Sequence, residues 1–185
     1  MSVGPELDPG LGYVLVVALA LLFARAAWHK WRALAQFGGS LAAYRLFPRP
    51  LLGLLRVAVP AGETAIALLL LPAATRPWAA AAGATLLLAY AGAMAINLGR
   101  GRYDLDCGCA GPAERRPIAA WMVWRDVLLA VLLALGGLPW AARPLTATDL
   151  VTVGGGLLVV ALLYTALDRL LGQIMPRTAL LRGAR

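Results

Sequence analysis

Both cysteines of this 185-residue chain, Cys107 and Cys109, stand one residue apart in the stretch Asp104-Leu105-Asp106-Cys107-Gly108-Cys109-Ala110-Gly111-Pro112. Two thiols at C-x-C spacing can close a disulfide if the backbone between them bends, and Gly108, having no Cβ, can supply unusual dihedrals. Such a ring is tightly constrained, and departure from relaxed geometry makes a disulfide more reducible. It closes a minimal loop, so it adds almost no loop-closure stabilisation. A bond that stabilises little and reduces easily suits electron transfer better than structure. Arg100, Arg102, Arg115 and Arg116 flank the pair and would favour a thiolate. Asp104 and Asp106 oppose that effect or accept a proton. Two bland alternatives stand beside this reading. Buried inert cysteines are one, although a loop between charged residues is an odd place for them. A metal centre is the other, but two thiolates are half a zinc site and His29 is the sole histidine, so no metal is expected.

A second candidate is Glu63, inside an apolar stretch and three residues after Pro60. A carboxylate within the membrane is costly and points to function, as a proton acceptor or a hydrogen-bond partner of a bound cofactor. Its structural alternative is a pair with Arg56, seven residues earlier on about the same helix face. Arg125 and Asp126 are adjacent, so about 100° apart on a helix, and are expected to face different neighbours, Asp126 pairing with a cation on another helix. His29 beside Lys30 is either a proton shuttle or an interfacial residue. Trp121 and Trp124 fit an interfacial belt, or the wall of a quinone pocket near the cysteines.

Composition says what must position these groups. Hydrophobic residues make up 61% of the chain, charged residues 14%, and the mean hydropathy is +0.76. A soluble domain carries about 45–50% apolar and about 25% charged residues, so the chain reads as an integral membrane protein. A bilayer core of about 30 Å needs about 20 apolar residues per helix. Five stretches qualify or come close: residues 11–28, 50–71, 77–97, 117–138 and 150–171. The expected architecture is therefore all-α, a single polytopic domain over 1–185. It is a four-helix core plus one further span, with a cysteine loop at 98–116. Pro117 suits the first position of the fourth span. Between the first two spans, Leu34, Phe37, Leu41 and Tyr44 recur at helical spacing, which predicts an amphipathic helix at the interface entered through Trp28 and Trp31. Ala79, Gly83 and Gly92 predict close packing by the third span, and Gly154-Gly155-Gly156 the same for the last. The first ten residues hold Glu6 and Asp8 and no cation, unlike a secretory signal, so the first helix is expected to be retained.

Alternating the loops places fifteen of the seventeen Lys and Arg residues on one side, with Arg76 and Arg143 on the other. The positive-inside rule then predicts a plasma-membrane protein with its C-terminus and cysteine loop in the cytoplasm. The net charge of +8 follows from this bias and from anionic headgroups. No basic soluble module is present to bind nucleic acid.

The run Asn97-Leu98-Gly99-Arg100-Gly101-Arg102, followed by Asp106-Cys107-Gly108-Cys109 and Gly111, closely resembles the signature of the MauE family, methylamine utilisation protein E. His29-Lys30, Phe37, Pro48 and the Pro60 to Glu63 stretch also resemble that family and the broader DoxX-like membrane proteins. The resemblance implies a role in maturing methylamine dehydrogenase or a similar disulfide-rich enzyme, beside a thioredoxin-like MauD partner. The arrangement is similar to vitamin K epoxide reductase, whose helical bundle holds a cysteine pair beside a quinone. This chain departs from that pattern in having C-x-C and no second cysteine pair, so a partner would supply the shuttle cysteines. The family role also wants the loop outside, where disulfides persist, against the charge count. The expected function is a membrane thiol oxidoreductase linked to quinone. The alternatives are a non-catalytic docking or assembly factor, and a small transporter subunit using Glu63 and the Arg56 region as a polar path.

Overall fold

The structure, a computed structural model, describes residues 7–107, 117–141 and 143–182, with residues 171–182 described by backbone alone. The described chain is all-helical: α1 (Pro9–Arg32), α2 (Leu34–Tyr44), α3 (Arg49–Leu69), α4 (Arg76–Gly99), α5 (Ala120–Gly136) and α6 (Ala147–Arg182). Apolar runs this long must satisfy their backbone groups internally in lipid, and a helix does so within the segment. α1, α3, α4 and α6 are long and apolar enough to cross a membrane. α5, at 17 residues, sits at the short end of what spans. It packs most extensively on α4, as α1 does on α3. The chain is thus a multi-pass membrane protein, with its interfacial helix α2 after the first span.

The ends of the elements follow from local chemistry. Asp8 caps α1, its Oδ1 accepting from Gly10 N at 2.9 Å, with Pro9 in the first turn. Arg45 takes a left-handed conformation (φ 53°) that stops α2. Arg76 at the start of α4 donates to the Leu70 and Leu71 carbonyls past the end of α3 and stacks 3.5 Å from the Trp140 ring centroid. Pro117 stands ahead of α5 rather than in its first turn. Residues 117–119 are extended, Asp106 and Pro117 form an antiparallel bridge, and Ile118 N donates to Leu105 O at 2.8 Å. This bridge pins both ends of the cysteine loop.

The core runs along the bundle axis through Val16, Phe23, Ile66, Leu70, Leu87 and Leu133. At Gly83 four helices meet. A Cβ there would lie 3.1 Å from Leu133 Cδ1, 3.2 Å from Ile66 Cγ2 and 3.3 Å from Phe23 Cζ. Gly92 behaves otherwise than expected: nothing lies within 4 Å of where its Cβ would be. In α6, Gly156 abuts Val14 of α1, whereas Gly154 and Gly155 face open space. No residue in the apolar window of α6 is buried within the bundle.

The pole bearing the first residues of α1 is closed by a clasp. Arg143 donates to Asp149 at 2.7 and 2.9 Å and to Asp8 at 2.8 and 3.1 Å, joining the starts of α1 and α6.

Candidate functional site

At the opposite pole α1, α2, α3 and α4 surround a cavity of about 190 Å³. Phe37 and Leu41 come from α2, Leu55 and Val59 from α3, and Leu86, Ala93 and Met94 from α4. The walls are almost wholly apolar. Cys107 lines the cavity from the loop side, and Lys30 lines it from within the bundle. The cysteine is partly buried against Tyr44, Met94, Leu105, Ile118 and Met122. Cys107 therefore borders both the loop and an apolar chamber.

Lys30 is the residue that sequence reasoning passed over. It is buried, 4% exposed, and its Nζ donates to Glu63 Oε1 at 2.6 Å. The same oxygen accepts from Tyr90 Oη at 2.8 Å. Lys30 Nζ also lies 5.5 Å from the ring centroids of Phe37 and Tyr90, within cation–π range. Glu63 is 1% exposed, and its Oε2 has no hydrogen-bond partner among the described residues. Glu63 thus pairs with Lys30, not with Arg56. Arg56 instead lies along α2, where a Cβ on Gly38 would come within 2.8 Å of its Cδ. The signal for Lys30 was present: Val16, Leu19, Phe23, Ala27 and Lys30 recur three or four residues apart and form the buried face of α1. Pro60 and Thr64 bring Glu63 into register. Pro60 removes a backbone donor within α3. Thr64 Oγ1 donates to the Pro60 carbonyl and accepts from Trp31 Nε1 at 3.1 Å, tying α3 to α1.

Arg102 is the loop's tether. It donates to Asn97 Oδ1 at 2.9 Å and to the Ala43 and Tyr44 carbonyls at 2.7 and 3.4 Å. Those carbonyls end α2, where the helix dipole favours a cation. Asn97 is fully buried and caps its own turn through Ala93 O. One guanidinium therefore fixes the cysteine loop to the helix that walls the cavity.

The other expected residues fall as follows. Cys109, Arg115 and Arg116 lie outside the described residues. Arg100 and Asp104 are exposed, and Asp106 is half-buried at the bridge. His29 is half-buried, on a different face of α1 from Lys30, 3.5 Å from Arg25 Nε, and does not line the cavity. Trp121 packs on the cluster beside Cys107, with Arg125 5.5 Å from its ring centroid. Trp124 is 72% exposed, and neither tryptophan lines the cavity. Asp126 pairs with its neighbour Arg125 at 2.9 Å, which also reaches Asp168 of α6 at 3.5 Å. The long guanidinium side chain curls back across the angle that separates adjacent helix positions. No three His, Cys, Asp or Glu side chains gather as a metal site among the described residues.

The family profile described as "Methylamine utilisation protein MauE" matches residues 9–139, which is α1 through α5. The chain is similar to the methylamine utilization protein MauE of Paracoccus denitrificans, 36% identical with 94% of each chain covered. It is 37% identical to that of Paracoccus versutus, over 95% of this chain and 96% of the relative. It is 30% identical to that of Methylophilus methylotrophus, over 89% and 88%. No solved structure matches the chain.

Proposed function

The chain belongs to the MauE family, the methylamine utilisation proteins E, and from that premise we propose that it is a plasma-membrane thiol–disulfide oxidoreductase. Its Cys107–Cys109 pair would exchange disulfides with a thioredoxin-like protein of the MauD type, in support of the maturation of methylamine dehydrogenase or a similar disulfide-rich enzyme. The observation that carries this reading is the position of Cys107, between a tethered loop and an apolar chamber inside the bundle.

The exchange balances in two steps. A partner thiolate attacks the Cys107–Cys109 bond, that bond breaks, and a mixed disulfide forms. The partner's second thiolate attacks the mixed disulfide and leaves as a partner disulfide, while both cysteines of this chain become thiols. Two electrons and two protons have moved from partner to chain. Re-forming the Cys107–Cys109 bond releases them again. The cavity fits a membrane quinone as their acceptor: its walls are apolar, aromatic rings stand at its sides, and its few polar groups include a sulfur and an ammonium. A quinone bound there supplies a lipid-soluble acceptor of two electrons and two protons. Phe37, Leu86 and Met94 would hold its ring and exclude water. Arg102 keeps the loop, and so the Cys107 sulfur, at the chamber wall.

Single-cysteine variants test this. Cys109→Ser and Cys107→Ser, expressed with the thioredoxin-like partner, should trap a mixed disulfide visible on a non-reducing gel and lost on reduction. If neither variant traps one and the double variant still binds the partner, the chain is a docking factor and the redox reading is wrong. A membrane-impermeant maleimide applied to intact cells reads the side of the loop. Protection of Cys109 follows if the fifteen cations hold it inside, and labelling follows if the partner works outside.

A further inference from the structure

We infer that Lys30, paired with Glu63 and flanked by Tyr90, is the polar subsite of the cavity and binds the keto oxygen of a neutral, ring-bearing lipid of the quinone class. This deepens, and rests on, the reading of the cavity as a quinone chamber.

The argument starts from cost. A buried ion pair inside a bundle is no better for stability than apolar side chains of similar volume, and a lipid surround gives no relief. Here the pair is almost fully buried, and one Glu63 oxygen lacks a hydrogen bond among the described residues. Packing alone does not account for it. Direction is the second point. Lys30 and Tyr90 line the cavity, while Glu63 is not among its lining residues. The carboxylate therefore stands behind them, and it takes the one O–H of Tyr90 at 2.8 Å, so the donors left for a ligand are those of Lys30. An ammonium has three N–H donors. Glu63 takes one of them at 2.6 Å, which leaves two, on a residue that lines the cavity.

Charge selects the occupant. Lys30 and Glu63 sum to zero, so the wall offers directed donors without a net positive charge. A free carboxylate, such as a fatty acid, would meet an ammonium already neutralised and a second carboxylate behind it. A neutral carbonyl oxygen can take the N–H donors that Lys30 has left and carries no charge for Glu63 to repel. The rest of the chamber, with Phe37, Leu86, Tyr90 and Met94, suits a flat apolar ring. Glu63 is a positioning residue in this scheme, acting through Lys30.

Equilibrium binding of decylubiquinone to the full chain in detergent micelles tests the subsite. The Cys107→Ser/Cys109→Ser background removes redox turnover, so the readout is affinity alone. Saturable binding is expected, weakened about tenfold in the charge-neutral pair Lys30→Met/Glu63→Gln and several-fold in Tyr90→Phe, which keeps the ion pair. Oleate should compete poorly. If decylubiquinone binds the parent and these variants alike, the subsite is wrong and the quinone chamber stands. If it does not bind the parent saturably, the quinone reading itself falls. Should the charge-neutral pair fail to fold, unchanged affinity in Tyr90→Phe overturns the subsite, and weakened affinity upholds it. Tighter binding of oleate than of decylubiquinone also overturns it.

Discussion

The two poles of the bundle are built from the same kinds of charged residue and use them in opposite ways. At the pole of Asp8 and Asp149, one arginine satisfies two carboxylates at the water's edge, and each of those carboxylates has further donors from the chain. At the cysteine pole, Lys30, Glu63 and Asp126 are buried, and two carboxylate oxygens lack a partner among the described residues. Exposed pairs are screened and contribute little. Buried ones are costly, and in a membrane such groups are by default candidates for function. Burial and incomplete pairing, more than the number of charges, separate a fastening from a site.

That contrast can be broken or sharpened experimentally. The largest effect is expected from Cys107→Ser or Cys109→Ser, which should abolish disulfide transfer to the client while leaving the thermal unfolding midpoint in place. The pair closes a minimal loop and so contributes little stability. Client disulfide content and circular dichroism read the two halves of that statement. Next comes Lys30→Met alone. It strands the Glu63 charge inside the bundle and should cost about 3–5 kcal/mol. Adding Glu63→Gln should recover most of the loss, as measured by unfolding in detergent. Arg102→Ala should follow, costing about 1.5 kcal/mol, the low end for hydrogen bonds from a charged donor, since the group is only half-buried. It should also slow exchange several-fold as the loop loses its hold on α2. An unchanged exchange rate would show that the tether does not position the sulfur.

Arg143→Ala should have the smallest effect, a slight loss of thermal stability with exchange intact. Its pH dependence has a defined sign. The Arg143 guanidinium holds the Asp8 and Asp149 carboxyls below their ordinary value, Asp149 the further, so the clasp's contribution is present above about pH 4 and is lost in two stages as the pH falls through the folded values, Asp8 first and Asp149 last. Arg143 itself is pushed up by hydrogen bonds to Asp149 and Asp8 and stays charged throughout. In acid, the variant and the parent should converge. A large loss of exchange on cutting this clasp would erase the distinction between the poles.

Much of this architecture could be read in the residues. Apolar run length announced the membrane helices, and the spacing of Leu34, Phe37, Leu41 and Tyr44 announced α2. Glu63 stood out because a carboxylate in such a stretch is costly wherever it ends up. Its partner did not stand out, because Lys30 is thirty-three positions away and only the packing of α1 on α3 brings the two together. Local spacing suggested Arg56, which is the right arithmetic for a single helix and the wrong one for a bundle. In the sequence alone the tryptophans stay open between two readings for a similar reason. Their chemistry suits either a belt or a pocket, and helix rotation decides between them. At Trp124 it turned the ring outward.

Gly83 carries a further consequence. Side chains of α1, α3 and α5 all press on the one hydrogen atom that stands there in place of a methyl group. Helices so tightly seated at a shared point cannot slide past one another. A side chain at that point would part the helices where all four meet, and Gly83→Ala should therefore loosen the whole bundle and not one face of it.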